Sequence, residues 1–361
     1  MKICFIGDFL RNRHNTTWVH YFYNAGYNVE LIGEHNPQIK GIPFHSLKVP
    51  PIPFLKTFFR IWKIKKILLQ SKPDILHAFD SIYGYLGALS FFHPLVITLW
   101  NDEIALFKIR NFLEKKFIIY GLKKADLITA DAKCVVSSVE NLLNKKNFIE
   151  FILTGIDLNL FNPRCISDLK KQLNIPEDFL VVTSLRSFEK EYYNLDIIVK
   201  SIPYIIANFP KTIFLFLHNG KFFESIQKQV KKLNIEKFVK FVGLVPHNKM
   251  AHYLNISDIA ITIPSTDATS SSLLESMACK IPIIASDLPA NCDWIKNDWN
   301  GLIVPSRDVK KLETAILILL KNFNQRKIFA ERSFEIVKQF DYKLHMKKMK
   351  ELYQNLVKTF S

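Results

Sequence analysis

Short apolar runs alternate with helical patterns along the whole chain, and this rhythm excludes most architectures. Residues 2–6, 28–32, 44–49, 74–77, 95–99, 127–129 and 149–153 read as strands. Helical spacing fills 16–25, 54–70, 81–92, 104–122 and 135–143. The pattern restarts at 179–184 and continues through strands at 212–217, 237–242, 259–263 and 281–285. Three helices, at 307–322, 325–339 and 342–359, close the chain. Strands joined by helices form parallel sheets covered on both faces, so the class is α/β. A length of 361 residues with 48% hydrophobic content supplies two cores. Thr154-Gly155-Ile156-Asp157 reads as the exit from the first, and 165–175 as a linker. The expected domains are 1–165 and 166–341.

The formal charge is +16. Nucleic acid, an anionic membrane surface and phosphorylated substrates would each suit it, and so would codon bias toward Lys. No aromatic-basic RNA motif is present, so nucleic acid is not an expected partner. Cys4, Cys134, Cys165, Cys279 and Cys292 are odd in number and lack metal-ligand spacing, as in a reducing cytoplasm. The first residues do not form a signal peptide, since Asp8 interrupts them early. Residues 81–101 carry no Asp, Glu, Lys or Arg, but Gly84, Gly87 and His93-Pro94 break the run into a helix and a strand. Residues 54–70 carry Lys56, Arg60, Lys63, Lys65 and Lys66 with no acid, among Phe58, Phe59, Trp62 and Leu68. Two readings stay open for this helix: one lying on anionic lipid at the inner face of the cytoplasmic membrane, and one packed with a solvated basic face.

The richest stretch is 264–290. An apolar strand feeds a polar loop that opens a helix, with Asp267 in the loop and Glu275 in the helix. Thr269, Ser270, Ser271 and Ser272 lie between them. Free amides at a helix N-terminus attract anions, and short hydroxyls add donors. Asp267 could equally cap the helix, and Glu275 could be an ordinary surface residue. No Asp-x-Asp pattern suggests a metal site, and none is expected.

These residues carry a resemblance. The acid pair Asp267 and Glu275, then Met277-Ala278-Cys279-Lys280-Ile281-Pro282 and Asn300-Gly301-Leu302-Ile303-Val304-Pro305, resemble the family 4 (group 1) retaining glycosyltransferases. Phe241-Val242-Gly243 and Ser257-Asp258 fit the same family. In the first half, His14 with Trp18, Gly26-Tyr27-Asn28-Val29, Pro73-Asp74-Ile75-Leu76-His77-Ala78 and His93-Pro94-Leu95-Val96-Ile97 resemble its bacterial surface-polysaccharide and glycoconjugate subgroup. Arg186 with Glu189, Tyr193 and Asn194 matches the start of the second domain. Asp267 stands where the family has Glu, and Lys280 where it has Gly.

The resemblance implies the GT-B fold: two facing Rossmann-like domains with a deep cleft, the helix from about 342 packing back on the first. It implies sugar transfer from a nucleoside-diphosphate sugar to a hydroxyl of a glycan or glycolipid, with no cofactor. Glu275 would hold the donor ribose and Asp267 its sugar. Residues 269–272, Arg186, Lys190 and Gly243 would line the donor site. His14 and Glu103 would be catalytic candidates on the acceptor side, with Gly7, Asp8 and His77 beside them. A binding scaffold without turnover and a GT-B nucleotide-sugar epimerase are the alternatives.

Overall fold

The computed structural model describes residues 1–10, 13–50, 55–100, 112–144, 149–166, 168–267 and 269–360. The chain divides into two units, 1–155 with 342–361, and 156–341.

The first unit is built on a parallel sheet of β1 (Lys2–Ile6), β2 (Asn28–Gly33), β3 (Phe44–Ser46), β4 (Ile75–Phe79), β5 (Leu95–Leu99), β6 (Leu127–Ala130) and β7 (Ile149–Phe151). Its order is β3-β2-β1-β4-β5-β6-β7. The central strands Ile75–Phe79 and Leu95–Leu99 are buried at every position, as continuous apolar runs in a helix-covered sheet should be. The uncharged segment 81–101 resolves into the helix Ser81–Leu89 followed by β5. Among the described residues no helix is long and apolar enough to cross a membrane. Gly33 lets the end of β2 approach the turn after β1: a Cβ there would lie 2.7 Å from the Gly7 carbonyl oxygen.

The helix Tyr342–Phe360 belongs to this unit. Met346, Met349 and Tyr353 join Phe5, Trp18, Phe22 and Phe79 in one apolar cluster.

The second unit has β8 (Leu180–Ser184), β9 (Thr212–Leu217), β10 (Val239–Gly243), β11 (Ile259–Thr262), β12 (Ile283–Ser286) and β13 (Leu302–Val304). They form a parallel sheet in the order β10-β9-β8-β11-β12-β13. The boundary expected at 165 lies inside this unit. Ile156 N–H donates to the Phe340 carbonyl (3.0 Å), Arg164 N–H to Asn255 Oδ1 (2.8 Å), and Asn255 Nδ2 to the Asn162 carbonyl (3.0 Å). Residues 156–165 are thus bound into the second unit by their own polar groups.

In both sheets the strand order reverses once, between β1 and β4 and between β8 and β11. Loops leaving the carboxyl ends of such neighbours diverge and leave a crevice, the usual ligand position in open α/β sheets.

Candidate functional site

In the second unit, Arg186 lies two residues past β8 and residues 263–267 follow β11, so both stand at the reversal point. Arg186 is buried. Its Nε donates to Thr262 Oγ1 at 3.0 Å, its Nη2 to the Asp267 carboxylate, and its guanidinium carbon lies 4.9 Å over the Tyr193 ring. A buried guanidinium is costly without a counter-charge, and Asp267 supplies one. The loop carrying Asp267 is held from the neighbouring segment. Asn194, at φ 55°, sits in the left-handed conformation that Asn tolerates well. From there its Nδ2 donates to the Ile263 carbonyl and to Ser265 Oγ, both at 2.8 Å. Ser265 N–H donates to the Tyr192 carbonyl (2.8 Å). An open hollow of about 580 Å³, lined by Asp287, Ser306, Arg307 and Lys310, lies in the same unit. Arg307 Nη1 reaches Asn194 Oδ1 at 3.5 Å.

The helix after the loop is Ser271–Ala278, and Ser270 is its cap. Ser270 Oγ accepts from Leu273 N–H at 3.4 Å and meets Ser272 Oγ at 2.9 Å. Ser270 thus fills the cap position, and the Asp267 carboxylate meets Arg186. Thr269 Oγ1 is buried with no hydrogen-bond partner among the described residues. That leaves an unspent hydroxyl beside the helix N-terminus, whose first-turn amides lack intrahelical acceptors.

Glu275 lies one turn further on and is 7% exposed, not on the surface. Its Oε1 meets His247 Nε2 at 2.7 Å. His247 opens the helix His247–Asn255 after β10 and packs edge-on against Phe161, with ring centroids 4.9 Å apart. Nearby, burial pushes the His218 imidazole pKa down; the Glu275 charge opposes that shift and His247 adds to it. Gly243 ends β10 at φ 85°, its carbonyl accepting His218 N–H at 2.6 Å. A Cβ there would meet nothing closer than Asn219 Oδ1 at 4.0 Å, so Gly243 answers to backbone conformation. Lys190 is exposed, and no described contact joins it to Arg186 or Asp267. Lys280, where the resembled family has Gly, takes φ 56° as the residue after the helix cap. It donates N–H to the Met277 carbonyl (3.1 Å), and Ile281 N–H reaches the Ser276 carbonyl (2.9 Å), the pairing of a Schellman stop.

In the first unit, Gly7 and Asp8 leave β1 at its reversal point. Asp8 Oδ1 accepts from Leu10 N–H (3.1 Å), and its carbonyl accepts from Asn15 Nδ2 (2.7 Å). Asn15 Oδ1 accepts from Trp100 Nε1 (2.6 Å), and the His14 ring lies 5.4 Å from the Trp100 ring. Gly7, Asp8 and His14 are thus brought together, with Asn15 as the buried link that sequence reasoning missed. His77 requires correction. It was expected on the acceptor side but is fully buried inside β4. Its Nδ1 is bonded to the Tyr353 hydroxyl and its Nε2 to Thr98 Oγ1 at 2.6 Å. Both ring nitrogens are committed, and burial pushes its pKa down to about 3. Glu103 lies outside the described residues.

Residues 166–335 match the family model for glycosyl transferases group 1, and residues 2–132 match the glycosyl transferase 4-like model. N-acetyl-alpha-D-glucosaminyl L-malate synthase of Bacillus anthracis is 24% identical over 287 residues, 76% of this chain and 72% of that protein. UDP-Gal:alpha-D-GlcNAc-diphosphoundecaprenol alpha-1,3-galactosyltransferase of Escherichia coli is 21% identical over 333 residues, 85% of this chain and 81% of that one. Among solved structures, Anabaena HepE in complex with UDP has a TM-score of 0.85 at 16% identity, covering 99% of this chain and 100% of that chain. Sucrose-phosphate synthase from Thermosynechococcus elongatus reaches 0.85 at 19% identity, with the same coverage. With two Rossmann-like parallel sheets and family matches spanning most of both units, the chain belongs to the group 1 glycosyltransferases of the GT-B fold.

Proposed function

We propose that this protein transfers a sugar from a nucleoside-diphosphate sugar to a hydroxyl acceptor, with retention of anomeric configuration, in the synthesis of a cell-surface polysaccharide or glycoconjugate. One observation carries the reading. At the β8/β11 reversal point the buried Arg186, just past β8, pairs with Asp267 in the segment that leads into the helix Ser271–Ala278, and Glu275 lies buried one turn along that helix. The diphosphate would meet the helix N-terminus, Thr269 Oγ1 and Arg186, and Glu275 would accept from the ribose diol. Asp267 would face the donor sugar, exchanging part of its contact with Arg186 for a sugar hydroxyl. UDP and UDP-glucose in the HepE complexes support a ligand of this class.

In the reaction the acceptor oxygen bonds to the anomeric carbon as that carbon's bond to the diphosphate oxygen breaks. The acceptor proton leaves with the nucleoside diphosphate or passes to a base. Arg186 and the helix dipole would stabilise the charge growing on the leaving group, the role a metal plays elsewhere, so the reading includes no metal and no cofactor. On the first unit, His14, Glu103, Gly7 and Asp8 are the acceptor-side candidates. Lys190 would reach the diphosphate only as a mobile surface cation.

The reading places the protein in the cytoplasm, against the inner face of the membrane. Its support is the helix Leu55–Ser71, which buries Ile64 and Leu68 and leaves Leu55, Phe58, Trp62 and Leu69 exposed among lysines. A named glycolipid acceptor in the Escherichia coli relative is consistent with that position.

The test is incubation with a panel of nucleotide sugars, with and without cell-envelope extract. Acceptor-dependent release of nucleoside diphosphate is expected, with product anomers read by NMR. Binding without turnover would favour a scaffold. A changed sugar on an intact nucleotide would favour an epimerase.

A further inference from the structure

Glu275 has one oxygen spoken for and one not. Its Oε1 holds His247 Nε2 at 2.7 Å, while Oε2 has no protein partner among the described residues. A carboxylate this deeply buried is costly unless its orientation is fixed by a donor. His247 is in turn held from two sides. It stands at the first turn of the helix His247–Asn255, whose Met250, Ala251 and Leu254 are buried, and its ring rests against the buried Phe161. Phe161 belongs to the stretch whose backbone is tied to Asn255 through Asn162 and Arg164. The start of the second unit thus braces a histidine that braces the carboxylate.

We infer that His247 is a positioning residue that sets the selectivity of this site for ribonucleotides: by holding Oε1 through its Nε2–H, it turns Oε2 toward the ribose hydroxyls of the bound donor. The inference rests on the proposed donor site. It adds that recognition of the diol depends on a side chain that need not touch the ligand. Without the imidazole donor, the carboxylate has no described partner to stop it rotating about its own side-chain bonds, and the oriented acceptor is lost. The diphosphate contacts at Arg186 and the helix N-terminus do not involve His247 and would be left intact.

The experiment is calorimetry on the full chain. UDP, GDP and ADP are tried first, and the tightest binder is then compared with its 2′,3′-dideoxy analogue. Wild-type protein should prefer the ribonucleotide. In His247→Ala the ribonucleotide should weaken about tenfold, the size of one lost charge-assisted hydrogen bond. The dideoxy analogue should bind within about twofold of wild type, since it offers no diol to the carboxylate. His247→Gln, which keeps an N–H donor, should recover most of the preference. Equal weakening of both ligands would mean a merely structural role and would overturn the inference, as would an unchanged preference in His247→Ala. Either result would leave the nucleotide-sugar reading standing. Failure of wild-type protein to bind any of the three nucleotides would refute that reading, and this inference with it.

Discussion

Lowering the pH should destabilise the first unit through His77. Its ring is fully buried, with one nitrogen on Tyr353 and the other on Thr98, and its pKa falls from 6.5 to about 3 on folding. The depressed folded value sets the sign. Below 6.5 the unfolded chain binds a proton that the folded chain refuses, so stability is full above 6.5 and falls with pH until about 3. Each pH unit in that window costs about 1.4 kcal/mol, so going from about pH 8 to about pH 5 should remove roughly 2 kcal/mol. His218 and His345 are shifted in the same direction by burial and add to the total, so the measurement needs a reference. His77→Gln keeps a hydrogen-bonding amide at the site but has no proton to gain. Urea unfolding of both proteins, followed by tryptophan fluorescence at the two pH values, isolates the residue. Wild type should lose about 2 kcal/mol more than the variant. An equal loss in both would refute the assignment of His77 as a buried neutral link.

Replacing Lys280 with Gly should stabilise the second unit by about 0.5 kcal/mol, because a left-handed non-glycine costs about 1 kcal/mol and the half-exposed ion pair to Glu331 offsets only part of that. Thermal unfolding would read it, and a lower melting temperature would contradict it. The full chain should float with vesicles containing anionic phospholipid and not with purely zwitterionic ones. Phe58→Ser with Trp62→Ser should reduce that binding about tenfold or more, since each exposed ring offers apolar area to the interface. Equal flotation of the variant would remove this helix from any membrane role.

The two sheets were legible because each buried strand is a short apolar run and each crossover has helical spacing. The ends of elements were less so. The strand expected from 237 starts only at Val239, because Glu236–Phe238 form a 3₁₀ turn whose side chains offer no periodic signal. In the proposed site, Asp267 and Glu275 drew attention as the acid pair of the resembled family, and Arg186 because it lies just past the carboxyl end of a strand. The same rule misplaced His77. A histidine near a strand end resembles a crevice residue until a tyrosine 276 positions away is seen to cover it. His247 went unnoticed for the converse reason: its partner Glu275 is 28 residues distant, beyond the intervening strand β11, and a lone histidine after a proline announces no role. Lys280 was flagged as a departure from Gly, and its positive φ gives the physical reason Gly is favoured there.

The most direct test of the account is a crystal structure of the full chain with an intact nucleoside-diphosphate sugar. The account predicts the ribose hydroxyls within hydrogen-bond reach of Glu275, the diphosphate on Arg186 and the first turn of Ser271–Ala278, and the sugar against Asp267. A nucleotide bound in the second unit with its ribose away from Glu275, or its diphosphate away from that helix, would contradict it.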